Sequence, residues 1–223
     1  KEVEEITSKL KDDVTKKLKK RGAVVGISGG IDSSVVLALC AKTFGPERVL
    51  GIMMPENDSN PDSLELAKKL SAKFNTKYVV ENMTEAVAGF GCYKRRDEAI
   101  KNVFPEFNSN YKAKIILPTN LLEKETLNVF HLTIIAPDGK EKSERIPLKE
   151  YLQIVAASNF KQRSRMCMLY YHAESRNYAV IGTGNKNEHE QGFFVKYGDG
   201  GADIKPIAHL LKTQGFQLAD HLE

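Results

Sequence analysis

The segment Ser28-Gly29-Gly30-Ile31-Asp32-Ser33-Ser34 constrains this chain more than any other stretch. It follows the apolar run Ala23-Val24-Val25-Gly26-Ile27 and leads into Val35-Val36-Leu37-Ala38-Leu39-Cys40. That pattern predicts a strand, a tight glycine turn and the start of a helix. Glycines let a backbone approach an anion closely, and a helix N-terminus offers free N–H groups and the positive end of a dipole. The serine hydroxyls add donors, and Asp32 adds a candidate magnesium ligand. The package suits a polyphosphate. It also excludes two common alternatives. A Walker loop needs G-x-x-x-x-G-K-[ST], and no such lysine follows here. The spacing does not give G-x-G-x-x-G either, so a dehydrogenase-type dinucleotide fold is not supported.

The surrounding chain alternates. Val3, Ile6, Leu10, Val14 and Leu18 recur at helical spacing with lysines and acids between them, which predicts an amphipathic helix. A second buried strand reads Val49 to Met54 and is closed by Pro55. A polar loop, Glu56 to Asn60, leads to Pro61 in a first helical turn and a helix to Phe74. Lys77-Tyr78-Val79-Val80 is a third strand. Strand and helix in alternation argue for an α/β fold, a doubly wound parallel sheet with helices on both faces. Ligands in such sheets sit beyond the carboxyl ends of the strands. The serine-glycine loop and the loop from Pro55 to Asn60 share that edge.

From about 91 to 150 the rhythm breaks, and this stretch is expected as an insertion into a single domain spanning 1–223. Ile115-Ile116-Leu117-Pro118, Val129 to Ile135 and the turn Pro137-Asp138-Gly139-Lys140 suggest a β-hairpin. Lys94-Arg95-Arg96 within it reads as a solvated helix face, with contact to a phosphate as the alternative. A helix is expected from Ser158, as N-cap, to Ser175. A fourth strand, Tyr178 to Ile181, ends in Gly182-Thr183-Gly184-Asn185-Lys186, and a last helix starts near Lys212.

The later motifs gain weight from their order. After the serine-glycine loop come N-x-K-x-R-x-R-M from Asn159, G-T-G-N-K-x-E from Gly182, G-x-F-x-K-Y-G-D-G-x-x-D ending at Asp203, and K-x-x-x-x-L-x-K-T-Q ending at Gln214. The first loop resembles that of the N-type ATP pyrophosphatases. The whole series resembles NAD synthetase, closely over 23–80 and 158–223 and poorly over the excursion.

The resemblance implies an adenine nucleotide alpha hydrolase-like fold and an ATP-dependent amidation of deamido-NAD. The nicotinate carboxylate attacks the α-phosphorus of ATP, pyrophosphate leaves, and ammonia displaces AMP. It implies that Gly26, Ser28, Gly29, Gly30, Asp32, Ser33, Ser34, Met53, Thr183 and Lys212 bind ATP. Asp32 and Glu188 match the family's magnesium carboxylates. Asn159, Arg163, Tyr197 and Asp199 are candidates for deamido-NAD, largely across a homodimer interface in this family. Asp199 and Lys186 are the catalytic candidates, Asp199 by binding or deprotonating ammonium and Lys186 by neutralising phosphate. Two rivals remain. One is an AMP-forming amide ligase for another carboxylate, or a tRNA-modifying relative. The other is a non-catalytic nucleotide-binding protein. The excursion is longer than the family leads one to expect, and a closing segment beyond the last helix is expected but not seen.

Composition bounds the setting. Basic residues number 33 and acidic residues 29, a balance that does not argue for nucleic acid. The three cysteines, Cys40, Cys92 and Cys167, show no disulfide framework and no zinc spacing, which fits a reducing cytoplasm. No apolar run reaches membrane-spanning length, the N-terminus does not read as a signal peptide, and no glutaminase domain is expected, so ammonia is the expected nitrogen source.

Overall fold

The computed structural model describes residues 1–116 and 130–222. Helix α1 (Glu2–Asp12) continues into a wider turn, Asp13–Lys17, and buries Val3, Ile6, Leu10 and Val14 on one stripe. Then come β1 (Ala23–Gly26), α2 (Ile31–Phe44), β2 (Val49–Met53), α3 (Pro61–Lys73) and β3 (Lys77–Val80). Pro61 does open α3, and the Asn60 side chain accepts the Asp62 N–H at 3.0 Å to cap it. Next are α4 (Thr84–Gly89), α5 (Cys92–Val103), β4 (Lys112–Ile116), β5 (His131–Ile135), β6 (Glu141–Arg145) and α6 (Leu148–Glu174). The chain finishes with β7 (Ala179–Ile181), a short α7 (Lys186–Glu190) and α8 (Lys212–Leu222).

Two compact units emerge, one of Lys1–Glu85 with Gln162–Glu223 and one of Ala86–Lys161. The first holds a parallel sheet in the order β3-β2-β1-β7. Its central strand shows why both faces are covered. Ala23 and Val25 join a core with Val3, Leu10, Leu37 and Leu218, whereas Val24 joins Met166, Leu169 and Ala173. Successive side chains of a strand point to opposite faces, so the apolar run of β1 needs a helical layer on each side. The α6 residues Met166, Leu169 and Ala173 recur at helical spacing and meet the second face. Ile181 and Ile204 add a single parallel bridge beyond β7, which the sequence did not suggest.

In the second unit, β4, β5 and β6 form an antiparallel sheet with β5 in the middle. The expected hairpin is present as β5 and β6, closed by a turn in which Gly139 N donates to Ala136 O and Ala136 N to Lys140 O. Leu132 and Ile134 of β5 pack with Ile100, Phe104, Phe107 and Ile146. Leu117, Pro118 and Val129 of the expected strands lie outside the described residues.

One local expectation is wrong. Ser158 does not cap a helix, because α6 already begins at Leu148. Pro147, whose carbonyl accepts the Tyr151 N–H at 3.0 Å, marks the true start. Proline suits a helix entrance because the N–H it lacks would have no partner there.

Candidate functional site

The sheet order reverses between β1 and β7. Strands two and three are laid to one side of β1, and the chain then crosses to the other side. Such a reversal leaves a crevice beyond the strand ends, where ligands of open α/β sheets bind. The loop after β1 and the loop after β7 both leave the sheet there.

The first loop is built by its own serines and glycines. Gly29 has φ +79°, and a Cβ there would lie 2.8 Å from the Ser63 carbonyl oxygen of α3. Both facts require glycine. Ser33 Oγ and Ser34 Oγ each donate to the Gly30 carbonyl at 2.9 Å. Ser28 Oγ lies 3.2 Å from Ser33 Oγ and accepts the Gly30 N–H at 3.3 Å. Gly30 stands at the N-cap of α2 with no side chain to cap it. The uncapped first turn keeps its N–H groups available to an anion.

The second loop is fixed by a reciprocal cap. Asn185 Oδ1 accepts the Glu188 N–H and Glu188 Oε2 accepts the Asn185 N–H, both at 3.1 Å. This capping box starts α7 and sets Lys186 in its first turn. Lys186 Nζ lies 3.5 Å from Glu190 in an exposed pair, an interaction worth about 1 kcal/mol or less. Thr183 is partly buried between strand and cap. The first turn of α8 meets these loops: Lys212 N donates to Asn187 Oδ1 at 2.9 Å, and Lys212 Nζ donates to Asp32 Oδ2. Asp32 Oδ1 is buried with no hydrogen-bond partner among the described residues.

A cleft of about 360 Å³ opens beside the first loop. Gly26, Ser28, Met53 and Asp199 line it. Met53 belongs to the core as well as to the cleft wall. Asp199 Oδ1 accepts the Val195 N–H at 2.9 Å, which holds its carboxylate on a turn. That turn is anchored from below. Tyr170 Oη donates to the Gly201 carbonyl and to Asp203 Oδ1, at 2.9 and 2.8 Å, and Asp203 Oδ2 accepts the Val180 N–H at 2.8 Å. Burial pushes the Tyr170 hydroxyl above its ordinary range, and the bond to Asp203 adds to the shift. Tyr197 is exposed with φ 62°, an unusual conformation for a residue with a Cβ. Arg163 Nε donates to the neighbouring Lys196 carbonyl at 3.0 Å. Asn159 belongs to the other unit and is not among the groups brought together here.

Gln162, Arg165, Met166 and Leu169 also line the cleft; Arg165 and Met166 end the motif that starts at Asn159, but none of the four was expected as a site residue. Their spacing on α6 marks one helical face, a signal that was available once the helix was recognised. Among the described residues, no group of three or more His, Cys, Asp or Glu is arranged to hold a metal. Magnesium does not require one, since one or two carboxylates and substrate phosphates commonly suffice. The unpartnered Asp32 oxygen fits that demand.

A family model described as NAD synthase matches residues 2–122 and 133–223. An NH(3)-dependent NAD(+) synthetase of Rhizobium rhizogenes is 47% identical over 221 residues, covering 99% of this chain and 66% of the relative. The chain spans about two thirds of the length of the curated relatives it matches. Among solved structures, the NH3-dependent NAD synthetase of Campylobacter jejuni has TM-score 0.64 and 29% identity, covering 99% of this chain and 73% of that one. The NMN synthetase of Francisella tularensis has TM-score 0.65 and 25% identity, covering 99% and 69%.

Proposed function

The chain belongs to the NAD synthase family, and on that premise we propose that it carries the adenylylating and amidating site of an ammonia-dependent NAD synthetase. The observation that carries the reading is the meeting of Asp32 and Lys212 at the sheet crevice. It joins the serine-glycine loop to the last of the later motifs at one point, beside a cleft wide enough for a nucleotide.

The roles follow from charge. The Ser28–Ser34 loop holds the β- and γ-phosphates through oriented N–H and hydroxyl donors, where preorganised donors stabilise developing charge best. Lys212 and Lys186 supply cations, and Thr183 on the second loop is a further ATP contact. The adenine lies in the cleft against Gly26 and Met53. Asp32 and Glu188 would hold magnesium, which supplies charge neutralisation for the departing pyrophosphate when bound. A carboxylate oxygen of the acid forms a bond to the α-phosphorus while the bond from that phosphorus to the bridging oxygen of pyrophosphate breaks. Ammonia then bonds to the activated carbonyl carbon, AMP leaves with the acid's oxygen, and the nitrogen sheds a proton. Asp199, which lines the cleft, is proposed to bind ammonium and accept its proton. Arg163 and Tyr197 flank that turn and are proposed to hold deamido-NAD, and Asn159 stays a candidate for the same substrate, largely across a homodimer interface. Cys40, Cys92 and Cys167 are not joined in disulfides, which accords with a cytoplasmic setting, and no described helix is long and apolar enough to cross a membrane.

A second reading has one observation behind it. The similarity to an NMN synthetase at 25% identity shows that a related chain carries a name for a mononucleotide product. Incubation with ATP, magnesium and ammonium, and with deamido-NAD or nicotinate mononucleotide in parallel, separates the two. The first reading expects NAD, AMP and pyrophosphate from deamido-NAD. Amide formation only from the mononucleotide would favour the second.

A further inference from the structure

Glu56 lies in the loop between β2 and α3, and its side chain is only 6% exposed. A buried carboxylate is costly unless it is paired and hydrogen-bonded. Here Arg165 of α6 brings its Nη2 to 3.7 Å from Glu56 Oε1, and its Nε donates to the Met54 carbonyl at 3.4 Å. The other Glu56 oxygen accepts the Asp58 N–H at 3.2 Å. Ser59 completes the loop: its Oγ accepts the Glu56 N–H and its N donates to the Glu56 carbonyl, both at 2.9 Å. One guanidinium therefore reaches two points of the same loop, a side-chain acid and a backbone carbonyl. Lysine, a point charge without a planar fork, cannot reproduce both.

The loop so held is a wall of the cleft. Met54, Pro55, Ser59 and Asn60 line it, opposite Gly26 and Ile27, and Arg165 lines it too. We propose that Arg165, seated by Glu56, is a positioning residue for ATP: it latches the loop from Met54 to Asn60 onto α6 and so sets the width of the slot for the base. The proposal rests on the assignment of this cleft to ATP. Arg165 acts through the loop rather than on the reacting atoms, so its loss weakens nucleotide binding more than turnover.

The test compares Arg165→Lys, Arg165→Met and the double variant Glu56→Gln/Arg165→Met. Calorimetry with the non-cleavable α,β-methylene analogue of ATP and magnesium gives the nucleotide affinity alone. Steady-state assays of NAD formation give kcat and both KM values. Arg165→Met is expected to weaken the ATP analogue about tenfold, with kcat and the KM for deamido-NAD within about twofold, since a misplaced binding wall removes uniform binding. Arg165→Lys should fall between it and wild type. The double variant should bind the analogue no more weakly than Arg165→Met, because both changes break one latch. Unchanged analogue affinity in Arg165→Met overturns the proposal, as does additive weakening in the double variant or an equal rise in both KM values. A wild-type protein that binds the analogue but makes no NAD would instead refute the proposed function and leave the latch standing.

Discussion

Lys212 Nζ donates to Asp32 Oδ2 across 180 residues of sequence. The ammonium group occupies one side of the carboxylate that is proposed to hold magnesium, and the other oxygen is buried without a partner. A cation is thus parked where the phosphates and their metal are expected. On the proposed reading, nucleotide binding would move Lys212 from the carboxylate to phosphate and leave Asp32 to magnesium.

Lys212→Met should therefore weaken ATP more than it weakens the fold. The lysine side chain is 44% exposed and that of Asp32 16%, so water screens the pair in part and its contribution to stability is modest. A donor aimed at developing phosphate charge is worth roughly 100-fold in turnover. Denaturant unfolding and initial rates on the same preparation check the split. Large destabilisation with unchanged kcat/KM for ATP would assign Lys212 a structural role only.

Gly29→Ala should harm both folding and phosphate binding. Its φ of +79° disfavours any Cβ, and the added carbon would meet Ser63 O at 2.8 Å. Strain of this kind costs about 1 to 3 kcal/mol. Urea unfolding reads the stability term, and calorimetry with the ATP analogue reads the loop. Wild-type values in both would show that the loop does not need this geometry.

Asp199→Asn tests the ammonium role. Asparagine keeps the oxygen that accepts the Val195 N–H, so the turn should survive. Loss of the base is expected to cut turnover by about 100-fold, in the range of general base catalysis, and leave ATP affinity unaltered. Retained turnover would remove Asp199 from the chemistry.

Tyr170→Phe probes the anchor beneath that turn. Burial and the bond to Asp203 raise the Tyr170 pKa in the folded state. The folded chain therefore keeps the phenol proton longer than the unfolded chain. The stabilisation is complete below the ordinary tyrosine value of about 10 and is lost as pH rises above it. Thermal unfolding at pH 8 and at higher pH should show a steeper alkaline loss for wild type than for Tyr170→Phe. Parallel losses would mean that Tyr170 does not contribute.

Much of this was legible because the chemistry is local. Gly29, Pro61 and the apolar alternation of β1 each carry their structural demand within a few residues. The start of α6 was misread for a related reason. Ser158 looks like a cap, but the apolar positions Tyr151 and Ile154 continue the helix backward to Leu148 and pack in the second unit. Serine tolerates a helix interior when packing on either side decides the matter. The bond from Arg165 to Met54 spans 111 residues, and no local pattern announces it. The same holds for Lys212 with Asp32: the resemblance implied an ATP role for each, and the fold brings them into contact.

The central claim is that the acid's own oxygen attacks the α-phosphorus at this site. Deamido-NAD labelled with oxygen-18 in its nicotinate carboxylate tests it directly, with mass analysis of the nucleotide product. The account predicts NAD together with AMP that carries one labelled oxygen, and unlabelled pyrophosphate. ADP with labelled inorganic phosphate, or AMP free of label, would contradict it.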